Sequence, residues 1–265
     1  MAVNFSIRGL VLRDTDRNDN DKLLTVLTAE RGLMTVLAKN AHSIKSRALS
    51  GTQLFTCSDM EIYEKNGFFW LRDVSVVEAF MGISKSVEKM SLSAYFCDIA
   101  YEFSGEGEEA EDILKLTLNA LYALSHDIRP AAQIKGAFEL CAAGLSGYMP
   151  NVSACRLCKK NTAEVMYFDI MNGRLLCEEC MHRASLAAKR EAAKSEDIRE
   201  AVIICPMSPS VTEAVRYVLQ APIARFLSFS LTEEELPAFA SVAETYVLSH
   251  IGHGFDSLDF YKVLV

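Results

Sequence analysis

Four cysteines are spaced as ligands. Cys155 and Cys158 lie in CRLC and Cys177 and Cys180 in CEEC, giving C-x2-C-x18-C-x2-C. Zinc takes four thiolates tetrahedrally, and two residues between cysteines let both sulfurs of a tight turn face one ion. Two such turns supply every ligand and leave no open position, the pattern of a structural ion. Between them, a strand-like run around Val165 and Tyr167 and an Asn172-Gly173 turn form a ribbon that brings the two knuckles together. Other chemistry can use the same thiols. A thioredoxin-type thiol oxidoreductase carries a single C-x-x-C in a βαβ setting, which this chain lacks. Catalytic zinc keeps an open position and often a histidine; His182 is near, but the spacing does not require it. An iron–sulfur cluster accepts four thiolates and stays open as a reading. Cys57, Cys97, Cys141 and Cys205 sit among apolar neighbours and read as small buried hydrophobes.

A second kind of chemistry is electrostatic. Lys39, Lys45 and Arg47 fall in LAKNAHSIKSRALSG, and no acidic residue occurs from Gly32 to Thr56. Such a loop can hold phosphate, or it can be an ordinary solvated loop. Arg156, Lys159, Lys160, Arg174 and Arg183 surround the cysteines and read first as solubilising charge. DTDRNDND at 14–21 resembles a calcium loop but has Asp19 where the sharp turn needs glycine and Thr25 where a bidentate Glu belongs. It reads as a hairpin loop. No G-x-S-x-G, P-loop, G-x-G-x-x-G or paired histidine ligands occur, which points to a binding protein rather than an enzyme.

Around these residues the chain is ordinary in bulk. It has 265 residues, half of them apolar, enough for one large domain or a few small ones. The N-terminal MAVNFSIRG has no secretory pattern and no apolar run is long enough to span a membrane, so the expectation is a soluble cytoplasmic protein with unbridged cysteines. The net charge of −8 argues against nucleic acid, but it is unevenly distributed. Residues 1–50 carry eight basic and five acidic side chains and residues 155–199 nine and seven, while 81–154 and 200–265 are each at −5. A local basic face survives within an acidic chain.

The elements that must position these groups change character near residue 80. FSIRGLVLR alternates at period two, KLLTVLT and GLMTVLA are short apolar runs, and MEIYEK and FFWLRDVSVV flank an Asn66-Gly67 turn. Five such strands predict a small closed or partly closed barrel over 1–80. Beyond 86 the period becomes helical: Leu92, Tyr95, Phe96, Ile99 and Phe103, then Ile113 to Leu124, then AAQIKGAFELCAAGL. MHRASLAAKREAAK, a helix capped by Ser210, and TEEELPAFASVAETYVLSHI ending at Gly252 follow the cysteines. The expected class is therefore α+β multidomain, with a barrel at 1–80 and a helical domain at 81–265 holding the cysteine module at about 151–183.

Taken together, RGLVLRDTDRNDNDKLLTVLTAERGLMTVLAKNAHSIKSR, FELCAAGLSGYMP and the CRLC and CEEC that follow resemble the RecO family of bacterial recombination and repair proteins, over essentially the whole chain. The resemblance implies an N-terminal OB-fold, a helical domain with a four-cysteine zinc finger, and one structural Zn2+ on Cys155, Cys158, Cys177 and Cys180. It implies no bond-cleaving catalysis. It implies binding of single- and double-stranded DNA, strand annealing, and help in loading RecA onto DNA coated by single-strand-binding protein. The implied partners are a RecR-like protein and the acidic C-terminal tail of single-strand-binding protein, and the implied place is the bacterial cytoplasm, at the nucleoid during repair. Lys39, Lys45 and Arg47 match the family's basic segment and receive its DNA-binding role. Where the family commonly has glycine after that lysine, this chain has Asn40, the residue next most tolerant of positive φ. The reading set against this one is a zinc-ribbon scaffold for protein contacts with no direct DNA role.

Overall fold

The computed structural model describes residues 3–18, 20–43, 46, 48–192 and 203–265, with the backbone alone for 187–192. Strands β1 (Val3–Asp16), β2 (Lys22–Thr28) and β3 (Gly32–Ala38), the single helical turn α1 (Ala48–Gly51), and strands β4 (Cys57–Lys65) and β5 (Phe68–Glu78) come first. The strands close into a barrel of order β1-β2-β3-β5-β4. β1 pairs antiparallel with β2 on one side and β4 on the other, and β3 meets β5 in parallel, which leaves no free edge. A closed five-stranded barrel of this order is the OB-fold.

Alternation explains the closure. Ile7, Val11, Leu24, Val26, Val36, Met60 and Ile62 point inward and share one core, while their strand neighbours face out. Asn66 and Gly67 take φ of 54° and 76°, the geometry of a type I′ turn, so the two-residue connection sets the β4–β5 register. Gly32 is required by close approach as well as by φ: a Cβ there would lie 2.1 Å from the Gly105 carbonyl oxygen. That carbonyl accepts from Leu33 N at 3.0 Å, so the loop before α3 docks on the β2–β3 turn.

Helices α2 (Val87–Glu102) and α3 (Glu111–Ser125) follow. Ser86 caps α2 by accepting from Lys89 N, and Glu111 and Asp112 meet the positive end of α3. Next come α4 (Ala131–Leu145), β6 (Asn151–Cys155), β7 (Met166–Asp169), β8 (Arg174–Cys177), α5 (Glu178–Ala192), β9 (Ile204–Met207), α6 (Pro209–Gln220), α7 (Leu236–Ile251) and α8 (Asp256–Leu264). Ser208 caps α6 with Pro209 in its first turn, so the expected cap at Ser210 is corrected by two residues. Gly252 ends α7 at φ 87°, in line with the sequence; α8 beyond it is an element the sequence did not announce.

The compact units do not divide at the strand-to-helix change near residue 80. One comprises Met1–Ala131 with Gly254–Val265, the other Ala132–His253. In the first, the Asp98 carboxylate of α2 accepts from Arg13 of β1 at 2.7 Å and from Ser257 of α8 at 2.6 Å, and Arg13 also lies over the Tyr101 ring. The barrel is thus joined to α2 and α8 by one shared carboxylate. In the second, a four-stranded sheet of order β6-β8-β7-β9 packs with α5, α6 and α7. Phe168 of β7 stacks on Tyr246 of α7 at 5.2 Å. Among the described residues, no helix is long and apolar enough to cross a membrane.

Candidate metal centre and nucleic-acid face

The four spaced cysteines converge. Cys155 ends β6, Cys177 ends β8, and Cys180 lies in the first turn of α5. The turn after Cys155 is closed by Lys159 N to Cys155 O at 2.9 Å and Cys155 N to Lys160 O at 2.8 Å, with Lys159 at φ 63°. All four Sγ atoms lie within 4.8 Å of one another, with Cys158 and Cys177 at 3.5 Å, and none is in a disulfide. Cys155, Cys177 and Cys180 are buried and Cys158 is half-buried.

The surroundings act on the thiols of this cluster in opposite directions. Burial pushes the Cys155 thiol up, but the backbone N–H groups of Cys158, Cys177 and Leu157 outweigh it and bring it down to about 6. Burial, reinforced by the neighbouring thiols, raises Cys177 to about 12. Arg183 donates to Cys180 Sγ at 2.9 Å, Lys160 pairs with Glu179 at 3.0 Å, and Arg174 pairs with Asp169 at 3.0 Å. Three of the five cations around the cysteines therefore serve the module itself. Arg216 of α6 braces it from outside, donating to Val152 O at 2.7 Å and Asn161 O at 2.6 Å.

One tetrahedral ion with metal–sulfur distances of about 2.3 Å places its thiolates about 3.8 Å apart. The cluster fits that donor set. The unpaired cysteines differ among themselves. Cys57, Cys97 and Cys141 are buried as expected, and burial raises their thiols, Cys141 to about 12; Cys205 on β9 is only half-buried.

The basic segment leaves β3 at the barrel rim. Lys39 is exposed, and Asn40 adopts φ 53°, the positive value that its place after the lysine demanded. Asn40 N donates to Asp21 Oδ1 at 2.9 Å, and His42 Nε2 meets Asp16 Oδ1 at 2.8 Å. In the β1–β2 hairpin Asn18 Oδ1 caps the turn by accepting from Asn20 N and Asp21 N. The acidic hairpin at 14–21 is therefore the anchor of the basic loop. Lys45 and Arg47 lie outside the described residues.

Beside Lys39 runs an open groove of about 1470 Å³ lined by Arg17, Arg31 and Lys39 together with Leu23, Leu37 and Trp70. Asp16, Asp21 and Glu106 line it too, the first two already engaged with His42 and Asn40. Arg72 shares a smaller depression with Lys39, Tyr63 and Trp70. The sequence reading named neither Arg17, Arg31 and Arg72 nor the aromatic residues for this face. The signal was present: Phe68, Trp70 and Arg72 alternate on one side of β5.

Comparison with known proteins then decides the lineage. The description "Recombination protein O N terminal" matches residues 1–80, and "Recombination protein O C terminal" matches 84–196. The chain belongs to the RecO family. It is 27% identical over 256 residues to the DNA repair protein RecO of Acetivibrio thermocellus, covering 97% of this chain and 95% of that one. It is 23% identical over 257 residues to the RecO of Caldicellulosiruptor saccharolyticus, covering 97% of each. With the RecO of Clostridium acetobutylicum it shares 20% over 260 residues, covering 98% of each. Family membership makes this a DNA repair protein, and the chain carries an OB-fold and a tetra-cysteine cluster.

Proposed function

We propose that this RecO-family chain is a non-enzymatic recombination mediator. It binds and anneals single-stranded DNA and helps load RecA onto strands covered by single-strand-binding protein. The observation that carries the reading is an OB barrel with Arg17, Arg31 and Lys39 on one groove beside the anchored basic loop. Cations so placed neutralise phosphates, release counterions, and reduce the repulsion between two strands brought together. Lys45 and Arg47 continue that segment in the sequence and belong to the same assignment. A RecR-like protein and the acidic tail of single-strand-binding protein are the proposed partners on family grounds, with double-stranded DNA as a second ligand.

The four thiolates hold one Zn2+, which supplies no reaction chemistry here and fixes the knuckles of a local fold. Cys155, Cys158, Cys177 and Cys180 are its ligands, with Arg183 offsetting their charge.

The decisive test is Lys39→Ala, Lys45→Ala and Arg47→Ala combined. If each cation contacts one phosphate, binding of a labelled oligonucleotide weakens at every sequence, and the slope of log affinity against log salt falls by about 2 to 3. Unchanged affinity and slope would remove the assignment. Annealing assays with and without chelator separate the roles, since a protein-contact scaffold would not accelerate annealing at all.

A further inference from the structure

The loop cations account for phosphates but offer nothing to bases. The outer wall of the barrel does. The I′ turn at Asn66-Gly67 sets Tyr63 opposite Trp70 and Lys65 opposite Phe68. Phe69, Leu71 and Ile62 point into the barrel, so Phe68, Trp70 and Tyr63 face out. The Tyr63 and Trp70 rings lie 5.7 Å apart and those of Phe68 and Trp70 6.1 Å apart, so the three form one contiguous aromatic surface. Phe68 is 68% exposed, so its ring is open to a ligand at the tip of the hairpin.

The surface continues across the sheet. Trp70 pairs with Leu37 on β3, and Leu37 with Leu23 on β2, both outward of the core residues Val36 and Leu24. Cations flank it closely. A depression of about 460 Å³ is lined by Lys39, Tyr63, Trp70 and Arg72, two positive groups and two rings, with no carboxylate among the described residues lining it. Arg72 Nη1 donates to Asn4 Oδ1 at 3.2 Å, which steadies the guanidinium over this wall.

Rings beside cations are what an unpaired nucleotide requires: a π-face for the base and a positive group for its phosphate. A duplex cannot use the rings, because its bases are already stacked within the helix. We propose that Tyr63, Phe68 and Trp70 form a stacking platform for the bases of single-stranded DNA, with Lys39 and Arg72 on the adjoining phosphates. The platform rests on the DNA-binding reading and adds strand selectivity to it. Stacking engages base faces and leaves the pairing edges open to an incoming complementary strand, which suits annealing.

Trp70 is the sole tryptophan of the chain, so the platform carries its own probe. Titrating oligo-dT into the full-length protein should quench its fluorescence in step with the anisotropy of a labelled strand, while a blunt duplex binds with little quenching. Trp70→Ala should weaken oligo-dT binding about 5- to 150-fold without changing the salt slope, since a ring releases no counterions. Trp70→Phe should restore most of the affinity. Phe68→Ala, at the exposed hairpin tip, gives the same direction of change with little risk to the fold. Lys39→Ala should instead lower the slope by about 1. Oligo-dT that binds without quenching and is indifferent to Trp70→Ala and Phe68→Ala overturns the platform and leaves the DNA reading standing. Equal losses for duplex and single strand also overturn it, as does a variant that keeps DNA but loses a protein partner. Wild-type protein that binds no oligonucleotide overturns both readings together.

Discussion

The barrel and the cysteine module solve the problem of stability in opposite ways. The barrel buries a shared core of strand-alternating aliphatics and closes every edge. Its surface is thereby released for cations and rings that contribute little to holding it together. The module has short strands, four residues each in β7, β8 and β9, and spends its most distinctive side chains inward on one cluster. Even its surrounding charges, Lys160, Arg174 and Arg183, are turned to local partners. The conspicuous motif is architecture. The inconspicuous wall of the barrel is where recognition is expected.

The largest way to break this comparison is to remove a thiolate. Cys177→Ser exchanges a buried ligand at the end of β8 for a poor one. A structural zinc contributes apparent binding energy on the order of 10–16 kcal/mol at neutral pH, so losing it should unfold the module outright. Metal analysis should fall from one ion per chain toward none, and hydrogen exchange should show the amides of 151–177 and 204–207 unprotected. The barrel amides should keep their protection. Simultaneous loss in both regions would show that the ion stabilises the barrel as well.

The converse perturbation is Ile62→Ala, which empties a fully buried position in the barrel core. Such truncations cost about 2–5 kcal/mol. Denaturant unfolding followed through Trp70 should shift by that amount, oligonucleotide binding should fail at temperatures the wild type tolerates, and metal content should stay unchanged. Loss of the ion in this variant would sink the claim that the two regions are stabilised separately.

What was legible in the sequence followed from locality. Asn66-Gly67 announced both a turn and a register, and C-x2-C repeated at the right distance announced a cluster, because each signal is complete within a few residues. β6 and β9 were missed for the opposite reason. β9 contains Pro206 paired with Tyr167, and proline is tolerated there because the strand is the edge of its sheet. Nothing near ICPM reveals that partner. α8 is nine residues long, too short for a periodic pattern to declare itself before its contacts with α2 are known. The acid-free basic run singled out Lys39 and the family resemblance gave it a role, but Trp70, Tyr63 and Arg72 become neighbours of Lys39 only when strands meet, and no single segment carries that constellation.

The smallest effect probes how the recognition face is held. Asn40 sits at φ 53° and donates to Asp21. Asn40→Gly should leave stability within a few tenths of a kcal/mol, whereas Asn40→Ala should cost about 1 kcal/mol because a Cβ without a compensating amide disfavours that φ. The tie also predicts a pH dependence. The hydrogen bond from Asn40 N, then that from Asn18, holds the Asp21 carboxyl below the ordinary carboxylate range. A depressed folded pKa means that the tie is complete above the unfolded value, near 3.8, and is lost as pH falls through the lower folded one. Amide exchange at Asn40, corrected for its intrinsic rate, should therefore be flat from neutral pH down to about 5 and accelerate only below about 4. Asp21→Ala should produce that acceleration at neutral pH. A segment equally protected in Asp21→Ala would mean that β3 alone orients Lys39, and that the acidic hairpin, for all its proximity, is no part of how the barrel presents its cations.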